Sequence, residues 1–304
     1  INIALSDAMQ DRVLWPGKYE RRMEDIFKTQ LDIAQNVADQ LHLILSPEKI
    51  EQIEKLQPKN PEAYHNYLLG QYFCLKRDSA SIQKGIEYFK KAIEIDPGYA
   101  LAYAGLADGF YALSFTGNTE RRSGYATAYK MAEQALEMDS TLAEAYAVLG
   151  VVSKFGFWQW EKSRSFLEKA LALDSNCMVA HLYYCSFLDI VGEPEKALYH
   201  ANKAIELEPY FHMPYHMKGL IYRNNNKFAE STTAIMRSHE LNPEYWDKHL
   251  ILSNYLYLND ERSAVKFLSD LFSVETGFQK YQNSIYPAYE TAGISGVLTL
   301  YLEA

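Results

Sequence analysis

The sequence predicts an all-α chain of about five to six stacked helix hairpins, and three observations predict it. Four segments, Phe89–Pro97 (FKKAIEIDP), Ala132–Ser140 (AEQALEMDS), Leu167–Ser175 (LEKALALDS) and Ala201–Pro209 (ANKAIELEP), align without gaps, and Ile235–Pro243 makes a fifth. Their closing positions lie 43, 35, 34 and 34 residues apart, so the intervals settle on one period and the excess falls in loops. Ahead of each segment a second helical stretch carries a large residue followed by a small one: Leu69-Gly70, Leu106-Ala107, Leu149-Gly150, Tyr184-Cys185 and Lys218-Gly219.

Each of these features has a packing reason. The small positions Ala92, Ala135, Ala170, Ala204 and Ser238 fall three residues after Phe89, Ala132, Leu167, Ala201 and Ile235, which puts each pair on one helical face. The glycines and alanines ahead of them let two helices approach closely. A sixth unit, 246–272, keeps the apolar periodicity of Leu250, Leu252, Leu256, Val265 and Leu268 but loses the small residues, as a terminal cap does. The repeats are therefore expected at 63–99, 100–142, 143–177, 178–211 and 212–245, with 246–272 degenerate. Residues 273–304 are expected to form a linker and one further helix.

A period of 34 residues with this large-small pattern resembles the tetratricopeptide repeat. The resemblance covers about 63–272 and implies a superhelical solenoid whose first helices line a concave groove. Aligned on the family, the groove-facing positions are Tyr64, Tyr67 and Gln71 in the first repeat and Asp108 and Tyr111 in the second. Lys154 and Phe155 follow in the third, Asp189 in the fourth, His216 and Arg223 in the fifth, and Asn254 and Tyr257 in the cap. One subtype of the family grips a peptide carboxylate with Lys and Asn at fixed groove positions. Here the Asn position reads Gln71, Asp108, Val151, Ser186 and Leu220, which argues against that clamp. The mixed aromatic and polar lining implies an extended protein segment or an amphipathic helix as ligand.

Before the repeats, Ile1, Ile3 and Leu5 alternate with polar residues, Met9–Arg12 reads as a turn and Val13–Trp15 resumes an apolar strand. Residues 1–15 are expected to be a β-hairpin remnant of a truncated α/β domain. Over 16–62, Ile26, Ile33, Val37, Leu41 and Leu45 recur at helical spacing, and Ser46-Pro47 supplies an N-cap with proline at the first helical position, giving linking helices. The string Leu14–Phe27 (LWPGKYERRMEDIF), with Gln30–Ala34 and Asn60–Tyr64, resembles the junction between a small α/β domain and the repeat array in multidomain bacterial signalling proteins. Their output domains are AraC-type or winged-helix DNA-binding domains, or nucleotide cyclases. That resemblance implies a cytoplasmic location or the periplasmic side of a membrane-anchored regulator.

Composition narrows the function classes. Across 304 residues the net charge is −9 at pH 7, and the 24 tyrosines are not interleaved with basic runs, so nucleic-acid contact by this segment is not expected. No apolar run reaches the length of a membrane helix. Cys74, Cys177 and Cys185 form neither a CxxC pair nor an even set, and are expected as small buried hydrophobes. His212 and His216 stand four apart without a third ligand, so no metal is expected. No nucleophile-base constellation or phosphate loop appears, so neither enzyme activity nor a cofactor is expected. Trp160 is expected in the core, Trp158 less so. The function implied is protein interaction and sensing within a bacterial regulator. Two alternatives are a self-association scaffold, with the hairpin edge pairing a homodimer, and a regulatory segment of a nucleotide cyclase.

Overall fold

Two kinds of turn recur along the described helix hairpins, and both follow from local chemistry. A computed structural model describes residues 2–7, 12–18, 32–33, 36–37, 60–117, 120–244, 247–274 and 279–303. Strands β1 (Asn2–Asp7) and β2 (Arg12–Lys18) pair antiparallel, with a bulge between Leu5 and Ser6. Most of the linking helices expected over 16–62 lie outside the described residues. Within them residues 32, 33, 36 and 37 are helical, and Asn36 Nδ2 donates to the Asp32 carbonyl at 2.6 Å.

The helices then run in pairs: α1 (Pro61–Leu75) with α2 (Ser79–Ile95), α3 (Ala100–Phe115) with α4 (Arg121–Met138), and α5 (Ala143–Phe157) with α6 (Trp160–Leu173). Next come α7 (Met178–Ile190) with α8 (Pro194–Leu207), α9 (His212–Asn224) with α10 (Phe228–Leu241), and α11 (Lys248–Tyr257) with α12 (Glu261–Val274). A 3₁₀ turn, Gln279–Ser284, leads into α13 (Ile285–Glu303), which breaks at Ala292 and Gly293, where φ is 61°. The described residues form two units, Ile1–Leu75 with Ser79–Ala145, and Lys76–Asp78 with Tyr146–Ala304.

The first helix begins with Asn60, whose side-chain oxygen accepts from the Glu62 backbone N–H at 2.8 Å, and with proline at its first position. Between hairpins the repeated aspartate folds the chain back on itself. Asp96, Asp139 and Asp174 accept from the backbone N–H two residues on, at 3.1, 2.9 and 2.9 Å, and Asn242 does the same at 3.2 Å. Glu208 holds the fourth such position. Its backbone keeps the same turn, with Phe211 N–H donating to the Glu208 carbonyl at 3.1 Å. The turns deliver Tyr99, Leu142, Cys177 and Phe211 into the interior, all at 5% exposure or less.

Among the described residues of the connections within hairpins a left-handed residue recurs: Arg77, Gly117, Trp158, Gly192, Asn226 and Asn259, with φ between 52° and 82°. Glycine and asparagine adopt this conformation readily; arginine and tryptophan do so at a cost. Trp158 occupies such a turn and its side chain is 72% exposed, while Trp160 packs 6.1 Å from the Phe187 ring.

The small residues act as expected. A Cβ at Gly70 would come within 2.6 Å of the Phe89 ring, one at Gly150 within 2.5 Å of Leu167, and one at Gly219 within 2.5 Å of Ile235. Phe89, Leu167 and Ile235 open the aligned segments and are at most 1% exposed. Each therefore fits where its partner helix lacks a side chain. In the first unit the core gathers Tyr67, Ile82, Ile86, Phe89, Tyr99 and Leu106, and the end of the second gathers Leu268, Phe272, Ile285 and Val297.

Candidate binding surface on the first helices

Of the residues expected to face a groove, five are buried: Tyr67, Tyr111, Lys154, His216 and Asn254. In the first unit Tyr67 packs edge-on to Tyr99 at 5.2 Å and against Phe89 at 5.8 Å, and its hydroxyl accepts from Gln71 Nε2 at 2.6 Å. Burial, reinforced by the Glu144 carboxylate, pushes the Tyr67 hydroxyl above its ordinary pKa. Tyr111 stacks on Tyr125 at 6.0 Å. These two rings fill hairpin interiors, whereas Gln71 is exposed and Tyr64 and Asp108 are half-buried.

The second unit brings more of the expected residues together. Lys154 of α5, 1% exposed, donates to Ser186 Oγ of α7 at 2.8 Å, and its ammonium lies 4.1 Å from the Phe155 ring. Loss of water drags the amine down to about 7, partly offset by nearby Cys185 and Asp189. One turn beyond Ser186, Asp189 accepts from Asn224 Nδ2 of α9 at 2.8 Å, and its own burial raises its carboxyl pKa. Arg223 of α9 bonds to Asn254 Oδ1 of α11 and sits 5.4 Å from the Tyr257 ring. Asn254 Nδ2 donates in turn to Ser231 and Thr232 of α10, at 2.9 and 3.2 Å. Tyr257 is 63% exposed and stacks on Phe228 at 4.6 Å.

The outcome is a row of polar links along α5, α7, α9 and α11, joining residues 31 to 35 apart, about one repeat each. Lys154, Asp189, Arg223, Asn254 and Tyr257 belong to it. His216 is buried, and loss of water lowers its pKa. Sequence reasoning missed Asn224, Phe228, Ser231 and Thr232. The one-repeat offset could have found Asn224, since Asp189 lies 35 residues before it. Cys74, Cys177 and Cys185 are buried, and none of them forms a disulfide among the described residues. Among the described residues no three His, Cys, Asp or Glu side chains converge as metal ligands, and no helix is long and apolar enough to cross a membrane.

A family model described as tetratricopeptide repeat matches residues 74–99 and 214–245. A curated protein of Rhizobium meliloti (strain 1021) named "Putative adenylate cyclase 3" is 29% identical over 107 residues, which are 35% of this chain and 18% of that protein. Two solved structures, the human IFIT1 dimer with m7Gppp-AAAA and with PPP-AAAA, superpose with TM-scores of 0.60 and 0.58 at 17% identity. Each alignment covers 91% of this chain, and 63% and 64% of those chains. This chain thus spans under a fifth of the curated relative and under two thirds of the solved ones, and the structural likeness speaks to fold alone. The hairpin geometry, the repeated turns and the family match together make this an all-α chain carrying tetratricopeptide repeats.

Proposed function

We propose that the chain is the non-catalytic interaction and sensory part of a bacterial signalling or transcriptional regulator, holding an extended or helical protein segment along its first helices. The observation that carries this reading is the polar row from Lys154 to Tyr257. It places a buried ammonium, a half-buried carboxylate and an open tyrosine along four successive first helices. Buried charge is expensive, and a stack that needed only to fold would fill those positions with apolar side chains. Backbone groups of a bound segment can pair with Asp189, Asn224 and Arg223, while Tyr257 and Phe228 offer ring surface. The second reading, a regulatory segment of a nucleotide cyclase, is favoured by the similarity to the Rhizobium protein.

The test compares proteins captured from the source cell by the wild type and by an Asp189→Asn/Tyr257→Ala variant. Both variant positions are partly or wholly solvent-facing, so far-UV circular dichroism should be unchanged. A partner captured at least about tenfold less by the variant supports the reading. Equal capture of every partner by both proteins removes the row as the binding surface. Cyclic-nucleotide output that follows the same variant in the full-length protein would select the cyclase context.

A further inference from the structure

Between α9 and α10 lies an open, solvent-facing cavity of about 340 Å³ that shares no residue with the polar row. Tyr215, Lys218 and Tyr222 line it from α9, at a spacing that puts them on one helical face; Glu230, Thr233, Ala234 and Arg237 line it from α10. The two helices run antiparallel, so Tyr222 and Glu230 mark one end and Tyr215 and Arg237 the other. The Arg237 guanidinium stands 5.9 Å from the Tyr215 ring, consistent with that pairing. Two helical turns, about 10 Å, separate Glu230 from Arg237 along their helix.

The charges in this cavity are unequally satisfied. Arg237 is neutralised by Glu240 at 2.7 Å. Among the described residues Lys218 donates to a neutral acceptor, Asn202 Oδ1 at 2.8 Å, with the Tyr222 ring 5.9 Å away. Glu230 makes no ion pair among the described residues, although the Lys227 ammonium sits 6.0 Å from the neighbouring Tyr222 ring. An ammonium and a carboxylate thus line one cavity without pairing to each other, between two tyrosine rings and over the apolar Ala234, itself 7% exposed.

We propose that this cavity binds a small zwitterion, an aromatic α-amino acid. Its carboxylate meets Lys218, its ammonium meets Glu230 beside the face of Tyr222, and its ring lies against Tyr215 over Ala234. Charge-assisted hydrogen bonds of both signs fix the head group. Offset or edge-on ring contact selects the side chain. The volume falls at the lower end of the range for small-molecule sites.

Isothermal titration calorimetry of the full chain with L-phenylalanine, 2-phenylethylamine and 3-phenylpropionate tests it. L-phenylalanine should bind with a dissociation constant below about 1 mM, and each half-ligand at least about tenfold more weakly. Lys218→Met should weaken L-phenylalanine and 3-phenylpropionate but leave 2-phenylethylamine unchanged, and Glu230→Gln should do the converse. No saturable heat with L-phenylalanine, or a half-ligand binding as tightly as the amino acid, overturns the proposal. The wild-type comparison of the three ligands decides even if a variant fails to fold. Because the row is not involved, Asp189→Asn/Tyr257→Ala should leave amino-acid binding intact, which separates this site from the proposed protein-binding surface.

Discussion

Replacing Lys154 by methionine should make the protein more stable. The side chain is 1% exposed, and its amine is pulled from 10.5 to about 7 by the loss of water. Holding the amine at about 7 gives up about 4 kcal/mol of stability near pH 7. Methionine keeps the unbranched stem and its contact with Phe155, but forgoes the bond to Ser186, worth about 1 kcal/mol; the attraction to Asp189 is already contained in the lowered amine pKa. The net expectation is a gain of about 3 kcal/mol at neutral pH. The sign with pH follows from linkage. The folded pKa lies below the unfolded one, so between pH 10.5 and about 7 the unfolded chain binds a proton at Lys154 that the folded chain does not. Wild-type stability should therefore rise as pH climbs through that window, and the advantage of Lys154→Met should shrink. Urea unfolding followed by circular dichroism at about pH 7 and about pH 10 measures both. A variant less stable than the wild type at pH 7, or a difference that does not narrow at pH 10, would refute the account of a desolvated ammonium.

Two further outcomes are expected. Trp158→Gly should leave stability unchanged or raise it by up to about 1 kcal/mol, because the position has φ of 57° and the ring is 72% exposed; a loss above about 1 kcal/mol in urea unfolding would mean that its contact with Trp160 matters more than the backbone. His181 Nε2 lies 3.0 Å from the Ser175 carbonyl, so it carries the proton, and His181 Nδ1 accepts from His200 Nδ1 at 2.8 Å. Burial and this neighbour lower His200 from 6.5 to about 4, so its contribution is full above pH 6.5 and is lost as pH falls to about 4. After discounting for partial exposure this amounts to about 2 kcal/mol. His200→Asn should flatten that part of the urea midpoint profile, and an unaltered slope would exclude the pair as its source.

The hairpins were legible because each is decided within its own period. Gly150 and Leu167, or Gly219 and Ile235, are separated by 17 or 16 residues, and a close approach needs only a missing side chain on one helix. The repeated aspartates were visible as conserved spacing within the chain, but their work, accepting a backbone N–H two residues on, was not. For the candidate surface, alignment on the repeat family named a face and not a depth. Tyr67 and Tyr111 are buried because Tyr99, from the turn before α3, and Tyr125, from α4, arrive beside them. Lys154 is covered in the same way by α7. Asn254 is buried by polar groups of α10, Ser231 and Thr232, which lie on a second helix and carried no groove signal.

The three buried thiols give the fold a built-in kinetic reporter. Cys74 sits in the first unit, and Cys177 and Cys185 in the second. Burial lifts the Cys185 thiol to about 12, so alkylation of the closed state is suppressed both by access and by the scarcity of thiolate. Modification then proceeds only through opening, and the order in which the cysteines react with a small electrophile ranks the local opening rates of their hairpins. A repeat chain whose units open independently would label Cys74 on a timescale unrelated to the other two, whereas a chain that opens as one would label all three together.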